Sequence, residues 1–376
     1  MLDENNNMVN EPQVEYEDID TGVLMERPFN PAQIDISTKN PTIDLLVKRL
    51  QSSPPEIDLY PDFQRKDDLW DAGKQSRLIE SLLIKFPLPA FYFDGTDNNK
   101  WLVVDGLQRL SAIRNFMIKK SLKLTSLEFL KKLEGDGFDD LPRNLQRQIE
   151  ETQVTAYIIN PGTPDEVKFN IFRRVNTGGL IMEPQEIRHA MNQGVPAVYV
   201  KELAQTPEFI EATEKALSPN RMLDREFVTR FIAFYLNDYK AYIPDLDTFM
   251  NSSMSAIRNL SDSDKEKMKK DFISAMSLSK EIFNNWAFRK SDKYPEKRKP
   301  INKALFEVWS VTLARLDDEQ RKIIKEKKDI LFYKSISLVK EDSTFFNSIT
   351  TSTGNKSSVA YRFSSIEKII QETLET

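Results

Sequence analysis

Residues 100–117 run Lys-Trp-Leu-Val-Val-Asp-Gly-Leu-Gln-Arg-Leu-Ser-Ala-Ile-Arg-Asn-Phe-Met, a short apolar stretch that stops at Asp105-Gly106 and passes at once into helical spacing. Leu102, Val103 and Val104 predict a buried strand, and Leu107, Leu110, Ile113, Phe116 and Met117 predict the apolar face of a helix. A strand that feeds straight into a helix presents free backbone N–H groups and the positive end of the helix dipole, a physically sound seat for phosphate. Gly106 lets a ligand approach the backbone, and Gln108 and Arg109 fall in the first helical turn, where an amide and a guanidinium reach one anion. The same residues also read as a plain tight turn in which Arg109 pairs with a carboxylate. The sequence leaves both readings open.

Around this junction the patterning predicts helices over 42–50 and 71–86 and strands over 56–60, 89–94, 100–104 and 154–159. It also predicts a charged helical stretch over 119–152 with the loop Glu134–Asp140 inside it, and helices over 163–175 and 183–193, the former of these two opening on a capping box at Thr163 and Glu166. From about residue 197 strand signals cease, and the segments onward to 339, the last of them a single helix over 317–339, read helical, broken by Pro207, Pro219, Pro244 and Pro300. The expectation is therefore an acidic, mobile arm over 1–35, an α+β domain over 36–200 and a helical domain over 201–376.

Composition narrows the chemistry. Cysteine is absent, which removes disulfides, thiolate zinc and cysteine nucleophiles together. His189 is the only histidine, so a multi-histidine metal site cannot form within one chain, and His189 itself reads as structural. Any divalent metal would be held by oxygen ligands, which favours magnesium, manganese or calcium. No apolar run approaches the roughly 20 residues that span a bilayer, and the acidic start lacks a signal-peptide pattern, so a cytoplasmic chain with no membrane contact is expected. A net charge of -5 argues against a chain that coats nucleic acid non-specifically. The basic run Arg289–Lys299 reads either as a solvated loop or as a phosphate contact.

Four polar clusters close regular elements: Phe63-Gln64-Arg65, Asp105-Gly-Leu-Gln-Arg109, Phe172-Arg-Arg-Val-Asn-Thr-Gly-Gly179 and Glu186-Ile-Arg-His189. Their order and spacing resemble the N-terminal domain family of GmrSD-type modification-dependent restriction enzymes. Arg225–Phe231 and the stretch from Ile349 to Phe363 look like that family's helical part, so the resemblance covers roughly residues 40–370. It implies a ParB/sulfiredoxin-like α+β N-terminal domain with a small mixed sheet, followed by an all-α domain. It further implies nucleotide binding and hydrolysis in the service of restriction or phage defence, with a nucleoside triphosphate and Mg2+ as cofactors and DNA and a separate nuclease or other defence protein as partners. The chain departs from the pattern at Leu107, where the family usually has Gln. With a single histidine, it also lacks the means to build an HNH nuclease site of its own.

The resemblance maps a phosphate-contacting turn onto Gly106 and Arg109; side-chain chemistry adds Gln64, Arg65, Arg174, Asn176 and Arg188 as candidates for nucleotide binding, and Asp105, Gln108 and Glu186 as candidates for catalysis. For each the residues allow a second role. Arg65 and Arg109 bind phosphate bidentately or pair with Asp105 or Glu186 as scaffolding. Asp105 holds a metal or orients Arg109, and Asn176 meets nucleotide or closes a helix. Glu186 serves as general base or neutralises arginines. On the phosphate reading Arg109 stays off the packed face, so Arg109→Ala is expected to abolish nucleotide binding and leave the fold intact. The competing whole-chain reading is a non-catalytic, ParB-like module that binds DNA or a partner.

Overall fold

The computed structural model describes residues 13–17, 30–59, 70–97, 99–175, 183–290 and 299–376. They divide into two compact units, one formed by residues 29–183 and the other by residues 184–376 together with 1–28.

The first unit is α+β. Strands β1 (Ile36–Lys39), β2 (Ile57–Asp58), β3 (Phe91–Asp97), β4 (Lys100–Asp105) and β5 (Ala156–Ile159) form a mixed sheet in the order β1-β5-β3-β4-β2. β3 and β4 pair antiparallel as the expected hairpin, while β5 runs parallel to β3 and β2 parallel to β4. Helix α1 (Ile43–Gln51) starts where the Thr42 hydroxyl accepts from the Leu45 N–H, and α2 (Ala72–Leu83) where Asp71 accepts from Lys74. The remaining helices are α3 (Leu107–Ile113), which runs into a π-helical turn over Arg114–Ile118, α4 (Arg143–Glu151) and α5 (Asp165–Val175). One core joins Ile43 and Leu46 of α1, Ile79 and Leu82 of α2, Leu110 and Ile113 of α3 and Ile149 of α4 with Phe91, Phe93, Trp101, Val103, Ala156 and Ile158 from the strands.

Two expectations fail here. β1 was not expected, although Ile34-Asp-Ile36-Ser-Thr38 alternates as a half-buried strand does. Residues 119–152 are not mainly helical: α4 is their one α-helix, preceded by short 3-10 turns at Lys131–Leu133 and Phe138–Asp140. The reason is Glu80. Its buried carboxylate accepts from the N–H groups of Glu128, Phe129 and Leu130 at 3.0, 2.7 and 2.7 Å, which ties the segment down as a loop and holds the Glu80 carboxyl below its usual range against the opposing effect of burial.

The second unit is helical: α6 (Pro184–Met191), α7 (Val195–Ala204), α8 (Pro207–Ala212), α9 (Leu223–Leu236), α10 (Leu246–Ala256), α11 (Asp262–Phe283), α12 (Lys303–Ala314), α13 (Asp318–Glu326), α14 (Lys328–Glu341), α15 (Ser343–Ser348) and α16 (Lys356–Glu375). α12 is buried from Ala304 to Ala314 and packs against α9, α11 and α16, which is why its sequence is apolar all round. Phe306 meets the rings of Phe209, Phe227 and Phe288 at its centre. The expected single helix over 317–339 is two, broken at Lys327. Among the described residues, no helix is long and apolar enough to cross a membrane. Of the acidic segment expected to be mobile, Gln13–Glu17 is fastened to this unit through backbone hydrogen bonds to Ile301.

Candidate functional site

β4 delivers Asp105 to its end, and the chain turns through Gly106 at φ +102° into α3. Glycine is needed twice over. The dihedral disfavours an L side chain, and a Cβ here would lie 2.4 Å from Cδ1 of Phe91. The turn thus brings the start of α3 hard against β3, where Phe91 fills the space that the sequence reading left for a ligand.

Arg109 is 7% exposed and lies over the Phe91 ring, 4.5 Å from its centroid. One terminal nitrogen, Nη1, donates to the Pro89 carbonyl, and Nη2 donates to the Ala90 carbonyl at 3.1 Å and to Asp105 Oδ2 at 2.6 Å. The expectation that this guanidinium stands clear of the packed face is therefore corrected: it staples the β4–α3 corner to the strand entering β3. The physical reason is the short turn, which swings the first helical residues over β3. Of the two roles open to Asp105, orienting Arg109 is the one seen in the contacts.

Asp105 keeps a partly exposed side chain. Burial pushes its carboxyl above the usual range, only partly countered by Arg109 and by the Gly106 N–H. Tyr92 faces it in the β3–β4 register and stacks with Tyr157 at 4.9 Å. Burial, with lesser contributions from Tyr157 and Asp105, raises the Tyr92 hydroxyl as well. A partly exposed carboxyl held above its usual range is suited to taking up and releasing a proton.

Gln108 turns the other way. Its Oε1 accepts from the Trp70 N–H at 3.0 Å, while Gln75 Nε2 donates to the Trp70 carbonyl at 2.6 Å and Asn115 donates to Gln75 at 3.0 Å. This relay fixes the residue at which the chain re-enters α2. Gln75 and Asn115 were not singled out from the sequence, because polar residues on two helices carry no motif until the fold sets them side by side. Leu107 is half-buried against the core of this unit.

The other assigned residues are placed as follows. Gln64, Arg65 and Asn176 lie outside the described residues, as does most of the basic run, 291–298. Arg174 is exposed at the end of α5. Glu186 and Arg188 belong to the helical unit, where Arg221 grips Glu186 with Nε at 3.1 Å and Nη2 at 2.9 Å. Arg188, 1% exposed, donates to Asp247 and Gln185 at 2.8 Å each, and buried His189 meets Arg225 at 3.3 Å. The structure thus unites Asp105, Gly106 and Arg109 in one corner, and each of Glu186 and Arg188 has its own counter-charge.

Residues 44–192 match the family model described as GmrSD restriction endonuclease, N-terminal domain. That stretch runs from α1 through α6 and contains the β4–α3 corner. No curated protein and no solved structure matches the chain.

Proposed function

With a GmrSD-type N-terminal domain as premise, we propose that the chain binds a nucleoside triphosphate and hydrolyses it as a component of a modification-dependent restriction or phage-defence system. The observation that carries this reading is the β4–α3 corner itself, a turn braced on Phe91, Pro89 and Ala90 that carries Asp105, a carboxyl held above its usual range, at its rim. In this assignment Arg109 is a positioning residue. Phosphate contact falls to Arg65, Gln64 and Asn176, with Arg174 adding positive charge, and Gly106 shapes the turn. Asp105 is the proton-handling carboxylate of this assignment. Among the described residues no three His, Asp or Glu side chains gather as a metal site. Mg2+ bound chiefly through the nucleotide phosphates fits that donor set. DNA is the proposed regulatory ligand, and a nuclease the proposed partner.

One observation favours a second reading, a nucleotide- or DNA-binding regulator without turnover: the guanidinium of the D-G-x-x-R turn makes scaffold contacts, and Leu107 is packed where the family pattern has an amide. Calorimetric titration of ATP and GTP, followed by phosphate release with Mg2+ in the presence and absence of DNA, separates the two. Arg65→Ala is expected to weaken nucleotide binding at least tenfold with an unchanged melting temperature, and Asp105→Asn to lower turnover with binding kept. Unchanged binding in the folded Arg65→Ala protein would remove the phosphate assignment, and binding without any phosphate release would leave the regulatory reading.

A further inference from the structure

Two stretches singled out in the sequence but unused by the corner, Arg225–Phe231 and Ile349–Phe363, meet inside the helical unit around Glu307. Arg362, fully buried on α16, donates through Nε to Glu307 Oε1 at 2.8 Å, through Nη2 to the same oxygen, and through Nη1 to the Thr353 carbonyl at 2.7 Å. Arg230 on α9, 1% exposed, reaches Glu307 Oε2 at 3.3 Å and Glu226 Oε1 at 3.4 Å, and Lys303 donates to Glu226 at 2.8 Å. Burial pushes the Glu226 carboxyl up, but Lys303 and Arg230 outweigh it and leave it at about 2.

The third carboxylate comes from the far end of the chain. Glu17 accepts from Arg230 Nη1 at 3.2 Å and from the Thr353 hydroxyl at 2.6 Å, and pairs also with Arg230 Nη2. Three cations (Arg230, Lys303, Arg362) then face three carboxylates (Glu17, Glu226, Glu307), and the cluster is neutral only with Glu17 in it. Two residues earlier, Glu15 takes Asn302 Nδ2 at 2.7 Å and Lys290 Nζ at 2.5 Å. Between them Tyr16 is 91% exposed. The backbone is read as well: Glu15 N–H donates to the Ile301 carbonyl at 2.8 Å, and Ile301 N–H donates to the Gln13 carbonyl at 3.0 Å. Two acid subsites spaced two residues apart, beside a strand-type bridge, form a seat for an extended segment, the way an added strand is recognised.

We propose that this seat is a binding site for an extended acidic peptide of the pattern Glu-x-Glu, filled in cis by residues 13–17, and that this arm is a removable strap whose release opens an anion pocket at Arg230 and Thr353. The backbone bridge gives affinity for any extended chain. Buried Arg230 gives selection, because it is left without its third carboxylate when the arm departs, and an uncompensated buried cation is costly. This site is separate from the β4–α3 corner and does not depend on nucleotide binding there.

The test uses the full chain and a fluorescein-labelled peptide of residues 10–22 in an anisotropy titration. The double variant Glu15→Gln, Glu17→Gln weakens the cis occupant, so the peptide is expected to bind it at least tenfold more tightly than wild type, and a peptide with both glutamates changed to Gln is expected not to bind. No gain for the variant, or equal binding of the Gln peptide, would overturn the proposal. Amide exchange of Glu17→Gln provides a second readout that survives partial destabilisation. The Ile301 amide is expected to exchange at least tenfold faster while those of α12 from Val308 to Leu313 keep their protection. Loosening of α12 together with Ile301 would make the arm a fixed part of the core, and no change at Ile301 would show that Glu17 does not hold the strap. Either result sinks the idea.

Discussion

The two arginine centres of this molecule, Arg109 in the sheet unit and Arg230 with Arg362 in the helical unit, look alike in sequence and are built on different terms. Arg109 spends its donors on two backbone carbonyls and one partly exposed carboxylate. Arg230 and Arg362 share Glu307, which is entirely buried; Arg362 adds the Thr353 carbonyl, and Arg230 takes its remaining carboxylates from Glu226 and from a segment more than two hundred residues distant. A guanidinium satisfied by backbone carbonyls anchors geometry and only partly offsets the burial of its carboxylate. A guanidinium satisfied by buried carboxylates anchors charge, and any missing partner leaves a vacancy of defined sign. This is why the first centre suits a reactive corner and the second a switchable seat.

The comparison breaks most sharply at Glu307. Glu307→Gln removes the charge that two buried arginines share, and losing one partner of a buried pair costs about 3 to 5 kcal/mol. Urea unfolding should show that loss, with amide exchange resolved by segment placing it in the helical unit and leaving β3, β4 and α3 protected. A loss below about 1 kcal/mol, the range of exposed pairs, would mean that the network is solvated and that the contrast with Arg109 is empty.

Arg109→Ala comes next. It forfeits hydrogen bonds to Pro89, Ala90 and Asp105 and the packing on Phe91, but Asp105 is partly exposed and able to take a proton, so the expected cost is smaller, about 2 to 3 kcal/mol. The sheet unit should melt earlier, and weaker nucleotide binding should follow from the loosened corner. A variant that keeps wild-type stability and loses only nucleotide binding would return Arg109 to phosphate contact, as the sequence suggested.

These cases show which parts of the structure were legible from sequence. The β3–β4 hairpin, α1, α2 and the helical character after residue 197 follow from periodicity and caps, because those signals are local. The segment 119–152 misled because its charged residues resemble a solvated helix, while the group that decides its shape, Glu80, lies some fifty residues earlier. The polar clusters drew attention to the Asp105–Arg109 corner, where a glycine at φ +102° meets a buried arginine. They did not tell a ligand-facing arginine from one turned inward, since that depends on the backbone carbonyls of Pro89 and Ala90, which have no sequence signature. Glu17 was read as part of an acidic arm for the same reason: its partners, Arg230 and Thr353, are adjacent to it only in space.

The finest test of the contrast is Leu107→Gln, which restores the family pattern at the corner. If an amide at this position holds the attacking water, hydrolysis should rise on the order of tenfold, the scale of one charge-assisted hydrogen bond to a reacting group. The structure argues otherwise. Leu107 opens the stripe continued by Leu110 and Ile113, is half-buried against the core of the sheet unit, and is followed by Gln108, whose amide already secures Trp70. A glutamine there loses part of the leucine's burial, yet from a half-buried site it can turn its amide toward water, so the expected cost is about 1 kcal/mol, below that of a fully buried polar group. Melting temperature and single-turnover phosphate release on one preparation decide the matter. A slightly lower melting point with unchanged release keeps Leu107 as packing and the corner as a braced scaffold, whereas faster release at unchanged stability would show that the corner's rim holds the reacting water and that this chain has given up part of its rate at that residue.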